Sequence, residues 1–151
     1  AHIEVDSLKS WTEFKETGIK YYSGTATYKK TFSVAKGNLA GTKAILDLGN
    51  VLEMASIKIN GNQLPVKWSA PFQFDITNYV KPANNQLEVQ VVNLWPNRLI
   101  GDGKLPLDKR FTKTNIVKFD GIDPEKLLRK SGLLGPVELM FIHDEINKNF
   151  K

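Results

Sequence analysis

The sequence predicts an all-β fold, an antiparallel two-sheet β-sandwich with one long loop and short helical turns. Three observations carry that expectation. Apolar side chains recur at every second position in short segments along the chain, the period of a half-buried strand. Turn-forming residues separate those segments, most plainly Asn60-Gly61, which suits a two-residue hairpin. Long amphipathic helices, which a parallel sheet needs as crossovers, have no counterpart in the pattern.

Taken in order, Ser10 with Glu13 three residues later reads as a capping box that opens a turn through Trp11 and Phe14. Trp11 then reads as a core plug under the first strand. Across Thr25–Phe32, Ala26, Tyr28 and Phe32 share one face, and Lys30 interrupts it as expected near a strand end or at a sheet edge. Ala44, Leu46 and Leu48 form the next inward set. Ala55, Ile57 and Ile59 come next, with Gln63–Lys67 returning beyond the Asn-Gly turn. Phe72, Phe74 and Ile76 alternate with Gln73 and Asp75, and Asp75 with Thr77 reads as an Asx-type turn. Leu87, Val89 and Val91 alternate with Glu88 and Gln90, and Val137, Leu139 and Phe141 close the series. Asp123-Pro124-Glu125 starts a short helix with proline in its first turn. Gly132, Gly135 and Pro136 redirect the chain before the last strand.

Leu94–Pro136 breaks the pattern. It is 43 residues long, holds five glycines and shows no sustained periodicity beyond the turn after Asp123. Connections of that length are uncommon inside a compact domain. Trp95, Leu99, Ile100, Leu105, Phe111, Ile116, Val117 and Phe119 make it too apolar for a solvated linker. The loop should pack on the sandwich or on a neighbouring domain. The chain therefore reads as one domain over 1–151, with a core spanning about 8–142 and an interface loop at 94–136.

Composition narrows the function. Of 151 residues, 41% are hydrophobic and 25% charged, a balance that folds rather than staying disordered. There is no cysteine, which excludes disulfides, thiolate metal sites and thiol nucleophiles. Two histidines, His2 and His143, leave a Ser-His-Asp triad or a multi-histidine metal site almost no material. No cofactor is expected; a calcium held by carbonyl oxygens and one carboxylate would leave no mark in the sequence. No apolar run reaches the ~20 residues of a membrane span. No basic-then-apolar leader opens the chain, as expected of a mature segment or an excised piece. The net charge is +5, and Pro96 to Lys130 carries nine Lys/Arg against five Asp/Glu. That excess could face an acidic glycan or an acidic protein surface, or belong to a solvated loop of mixed signs; with no recognised binding module beside it, nucleic acid is not expected.

Several segments together resemble a known family. Tyr22-Ser23-Gly24-Thr25-Ala26-Thr27-Tyr28-Lys29-Lys30-Thr31-Phe32 resembles the opening strand of the sugar-binding domain of glycoside hydrolase family 2. Leu46-Asp47-Leu48-Gly49 through Ala55–Gly61 is similar to the same domain, with its glycine, its alanine and its Asn-Gly turn. Pro71-Phe72-Gln73-Phe74-Asp75-Ile76-Thr77 and Asn85-Gln86-Leu87-Glu88-Val89-Gln90-Val91 match two further strands of that domain. Asn93–Asp102 and Ser131–Val137 look most like the terminal domain of bacterial enzymes of the α-L-rhamnosidase kind, family 106. The resemblance implies a galactose-binding-like jelly roll attached to a much larger carbohydrate-active enzyme. It also implies that the catalytic carboxylates belong to a separate barrel domain, and that the protein is periplasmic, on the cell surface or secreted.

Glycoside hydrolysis needs two carboxyl groups at a fixed separation, and the sixteen acidic residues here are scattered, so this fragment is not expected to be catalytic. Sugar binding needs an aromatic face and a few planar polar groups. The candidates are Trp68, Trp95, Asn97, Arg98 and Asp102, the last four within eight residues on the long loop. In the family-2 galactosidases an aspartate on the corresponding loop contacts the sugar, and Asp102 stands near that place. The competing expectation is that Arg98 and Asp102 form a local ion pair while Trp95 fills the sandwich end. Three functions stay open: an accessory domain that supports or completes a sugar site, a structural domain docked on the catalytic domain without binding sugar, and a free-standing carbohydrate-binding module.

Overall fold

The computed structural model describes residues 2–114 and 123–143. Nine strands run through them: β1 Thr25–Phe32, β2 Thr42–Asp47, β3 Asn50–Leu52, β4 Met54–Ile59, β5 Asn62–Gln63, β6 Gln73–Asp75, β7 Asn85–Val92, β8 Gly132–Gly135 and β9 Glu138–His143. Two helices accompany them, α1 Thr17–Lys20 and α2 Pro96–Gly103, with several single 3₁₀ turns. One sheet has the order β1-β7-β4-β5 and the other β6-β2-β9, while β3 and β8 form a separate ribbon. Every named pairing is antiparallel.

The sequence alternation sets which faces meet. Val89 lies between Tyr28 and Ile57, and Leu87 faces Ile59, so β7 supplies the central row of one inner face. On the other sheet Leu46 lies between Phe74 and Leu139, and Ala44 faces Phe141. These rows interlock in one core with Leu48, Val51, Ile76, Leu133 and Trp11. Each large aliphatic side chain buried there contributes roughly 1.5–3 kcal/mol relative to exposure. Lys30 does sit on an edge strand, β1, and interrupts the inner face near the strand's end.

Polar turns hold the ends of the strands. Asn60 and Gly61 both have positive φ and join β4 to β5 in the expected two-residue hairpin. Asn60 also donates through Nδ2 to the Tyr79 carbonyl and to Asn85 Oδ1, so it ties the hairpin to the start of β7. Asp75 Oδ1 accepts from the Thr77 N–H and hydroxyl, and Thr77 Oγ1 accepts from the Ala44 N–H. The expected capping box at Ser10 forms, with the Thr12 N–H on Ser10 Oγ and the Ser10 N–H on Glu13. Behind it Trp11 is 4% exposed and donates its indole N–H to the Tyr28 hydroxyl at 2.6 Å.

Three features depart from the sequence reading. The return over Gln63–Lys67 pairs at β5, lapses, and resumes where Lys67 bridges Ala55; Pro65 lies between and has no N–H to give a ladder. Strand β3 has no signature in the sequence, because three residues are too few to show a period. The 94–136 segment is not irregular throughout: it holds α2 and ends in β8. Pro96, Gly101 and Gly103 hide the helix, since glycine weakens helix propensity and packing rather than propensity holds it here. Ile116, Val117, Lys118, Phe119 and Asp120 of that segment lie outside the described residues.

Gly132 has φ +102°, and a Cβ there would meet Trp11 Nε1 at 2.3 Å. Gly132→Ala should therefore destabilise the chain by about 1–3 kcal/mol through overpacking, with left-handed strain in addition. Urea unfolding measures it, and an unchanged midpoint would show that Trp11 does not need that close approach.

Candidate functional site

The long loop begins where β7 ends. Asn93 is buried there; it accepts the Gly24 N–H and donates to the Tyr22 carbonyl, binding the chain before β1 to the end of β7. Pro96 then opens α2 at the first helical position, where its missing N–H costs nothing. The helix turns Asn97, Ile100 and Gly101 inward, the i, i+3, i+4 spacing of one face. At Gly101 a Cβ would lie 2.6 Å from Tyr21 Cβ, so glycine lets the helix close on that ring.

The polar candidates on α2 are engaged within the fold, Asn97 with the returning end of the loop and Arg98 with Asp102. Asn97 is 2% exposed; its Nδ2 donates to the Arg129 carbonyl and to Ser131 Oγ, and its Oδ1 accepts the Arg129 N–H. Asp102 is also 2% exposed, and its Oδ2 accepts the Thr112 N–H at 2.8 Å and the Thr112 hydroxyl at 2.6 Å. Arg98 Nε lies 3.1 Å from Asp102 Oδ1 as an ion pair, off the axis of a hydrogen bond, and the guanidinium rests over Phe111 at 4.5 Å. Burial alone would push the Asp102 carboxyl up. The Thr112 hydroxyl and N–H, the Phe111 N–H and the Arg98 charge outweigh it and hold the group below its ordinary range.

A second cluster clamps the loop to the chain before β1. Glu125 accepts from Lys104 and from the Tyr21 hydroxyl on one oxygen, and Lys20 Nζ lies 2.6 Å from the other. The Lys104 and Lys20 ammonium groups and the Tyr21 hydroxyl together hold the Glu125 carboxyl down to about 2. Lys104 is raised in turn, chiefly by Glu125 and then by Tyr21. Lys104, one of the cations of the loop, is thus paired within the fold.

The tryptophans behave differently. Trp95 is 68% exposed and does not fill the sandwich end, so that expectation is corrected: the chain turns into α2 before its ring can enter the core. Trp68 is 81% exposed. Register brings the two to one end of the four-stranded sheet. Lys67 bridges Ala55, which sets Trp68 beside Met54 at the start of β4, and Met54 pairs with Val92, three residues before Trp95. Glu53, Leu94, Pro96, Arg129 and Lys130 line a small cleft at the same end. The cluster of Trp95, Asn97, Arg98 and Asp102 therefore divides: Asn97 and Asp102 face the interior, Arg98 lies half-buried on Phe111, and Trp95 faces outward. No group of three or more His, Asp or Glu that could hold a metal occurs among the described residues, and no helix among them is long and apolar enough to cross a membrane.

An antiparallel sandwich of this topology, with a helix-bearing loop over one end, is a galactose-binding-like jelly roll. The chain belongs to the sugar binding domain of the glycosyl hydrolases family 2, whose pattern matches residues 7–132. It is 44% identical to a protein of Formosa agariphila named "Putative beta-glucuronidase", over 91% of this chain and 14% of that one. It superposes on a rhamnosidase from Novosphingobium sp. PP1Y with a TM-score of 0.78 at 36% identity, covering 91% of this chain and 13% of the other. A Bifidobacterium dentium beta-glucuronidase matches 56% of this chain and 14% of its own, with a TM-score of 0.51 at 26% identity. The match thus spans about one-seventh of the length of these relatives.

Asp102→Ala should destabilise the chain by roughly 1–3 kcal/mol, because it leaves the Thr112 N–H without its partner and Arg98 without its counter-charge. Thermal melting measures it, and an unchanged Tm would leave Asp102 free to meet a ligand. The Glu125 clamp gives a pH signature. A carboxyl with a folded pKa of about 2 against an ordinary 4.5 stabilises fully above 4.5 and loses that contribution as pH falls toward 2. The stability gap between the wild-type chain and Glu125→Gln should therefore shrink through that window, as followed by urea unfolding at successive pH values; a constant gap would show that the clamp is not formed.

Proposed function

We propose that this domain is a non-catalytic accessory domain of a larger glycoside hydrolase, and that its tryptophan-bearing end completes or shapes a sugar site there. The observation that carries the proposal is the exposure of Trp95 and Trp68, Trp95 standing in the chain between Leu94 and Pro96, which line a small cleft with Glu53, Arg129 and Lys130. Large aromatic faces left in water forgo burial, yet they suit the apolar face of a pyranose. Asn97 supports this role indirectly, by fixing the Arg129 backbone and the Ser131 hydroxyl against the start of α2. On the same reading the enzyme acts outside the cytoplasm.

A docking role without sugar has its own support. Leu107 and Phe111 are largely exposed on the same loop, a surface suited to the neighbouring catalytic domain. One experiment separates the two. In an enzyme carrying this domain, Trp95→Ala should raise KM about tenfold with a smaller change in kcat, the size of one lost aromatic contact. The domain's own Tm should stay within a few degrees, since Trp95 is exposed. Unaltered kinetics with Trp95→Ala but loss of assembly with Phe111→Ser would assign the loop to docking alone. The isolated chain should not turn over aryl-glycosides. Turnover that vanishes on changing one of its own carboxylates would end the accessory reading.

A further inference from the structure

Asn60-Gly61 is the single Asn-Gly pair in the sequence, and it carries a reactivity besides its turn. An asparagine side chain ends in an amide carbon that the next residue's backbone nitrogen can attack. Glycine in that next position has no Cβ, so this pairing leaves the attack least hindered. The fold holds the Asn60 amide away from it. Both residues have positive φ, which fixes the backbone of a two-residue turn. Asn60 Nδ2 donates to the Tyr79 carbonyl at 2.7 Å and to Asn85 Oδ1 at 2.9 Å, and Asn60 Oδ1 accepts the Gln86 N–H at 2.9 Å. The Tyr79 and Gln86 groups belong to the main chain, so they orient the amide without being able to rotate. Asn85 is 0% exposed and is itself held, by the Lys81 N–H on its oxygen and by the Phe32 and Lys81 carbonyls on its nitrogen. To bring Asn60 Cγ onto the Gly61 nitrogen, the side chain must turn and leave these partners.

We propose that Asn60-Gly61 is a self-modification site, closed in the native fold and open in the unfolded chain, whose product the fold does not accept. The reaction needs only water. The Gly61 nitrogen gives its proton to solvent base and bonds to Asn60 Cγ; the Cγ–Nδ2 bond breaks, and the nitrogen takes a proton from water and leaves as ammonia. Water then opens the five-membered succinimide. Addition at Cγ gives aspartate, and addition at the main-chain carbonyl carbon gives isoaspartate; nothing is oxidised or reduced. Aspartate replaces the Nδ2 donor with a second oxygen, so the Tyr79 carbonyl and Asn85 Oδ1 each face an acceptor where they had a donor. Isoaspartate adds a methylene to the main chain inside the turn, which disturbs the register of Ile59 with Asn62. Time spent unfolded therefore removes molecules from those able to refold.

The test follows Asn60 in the 151-residue chain at mildly alkaline pH, folded in buffer and unfolded in guanidinium chloride. Peptide mass spectrometry reads the mass gained as the amide becomes a carboxyl, and locates it in the chain. Asn60 should convert in guanidinium, and about tenfold or more slowly in the folded chain, where reaction waits for the hairpin to open. Gly61→Ala should slow conversion in guanidinium, an arm in which the variant need not fold. Asn60→Asp, the product of the first route, should unfold at a lower urea midpoint than the wild-type chain. Equal rates in the folded and unfolded chains would overturn the proposal. So would an Asn60 that stays intact in guanidinium while other asparagines of the chain react. An Asn60→Asp chain as stable as the wild type would overturn it as well, since the fold would then take the product back.

Discussion

The contact on which most of this structure depends is the seating of Trp11 between the first strand and the returning end of the long loop. Its indole N–H reaches the Tyr28 hydroxyl, and the same hydroxyl accepts the Leu133 N–H at 3.2 Å. Its backbone N–H donates to the Ser131 carbonyl, while the Ser131 N–H donates to Ser10 Oγ. Residues more than a hundred positions apart thus share one buried polar knot under an aromatic lid. A buried hydroxyl or amide left without a partner costs roughly 1–3 kcal/mol, so each member holds the others in place. Gly132 is the geometric condition for it, since no side chain fits between that backbone and the ring.

From Ser131 the knot extends to α2 through Asn97. The helix is short and carries two glycines, so its own propensity is weak; the Asn97 bonds and the Ile100 and Gly101 contacts hold it. This explains why polar residues suited to a ligand turn out to be occupied. An amide or carboxylate in a loop that crosses the core must satisfy its own buried atoms first. Asn97 and Asp102 do so with backbone and side-chain partners of the loop itself. What remains available at that end of the sheet is aromatic surface and the charges of residues around the cleft.

Charge obeys the same logic. Along the sequence, the positive excess of the loop resembles a surface for an acidic partner. In the fold, Lys104 and Lys20 converge on Glu125, and Arg98 on Asp102 and Phe111. These contacts draw cations inward and bind the loop to α1, to the chain before β1 and to its own descending half. Arg129 and Lys130, at the cleft, are a part of that excess that still faces outward.

The sequence by itself determined the sandwich. Period-2 rows such as Leu87, Val89 and Val91, or Ala44, Leu46 and Leu48, can bury one face only by pairing with strands of the same pattern, and local residues set the turns at Asn60-Gly61 and Asp75–Thr77. The Ser10 cap was legible because it depends on near neighbours in the chain, and Trp11 because a large ring just before the first strand has the core beside it. Only the tertiary structure decided the fate of the candidate site. Asn97, Arg98 and Asp102 stand within six residues of one another, but whether each faces water or the interior depends on Thr112, Phe111, Arg129 and Ser131, up to 34 residues away. The shared end of the sheet for Trp68 and Trp95 was equally invisible, since it rests on the register between Lys67, Ala55 and Val91 across three strands. Spacing along a chain records local geometry, whereas exposure is a property of everything else that packs there.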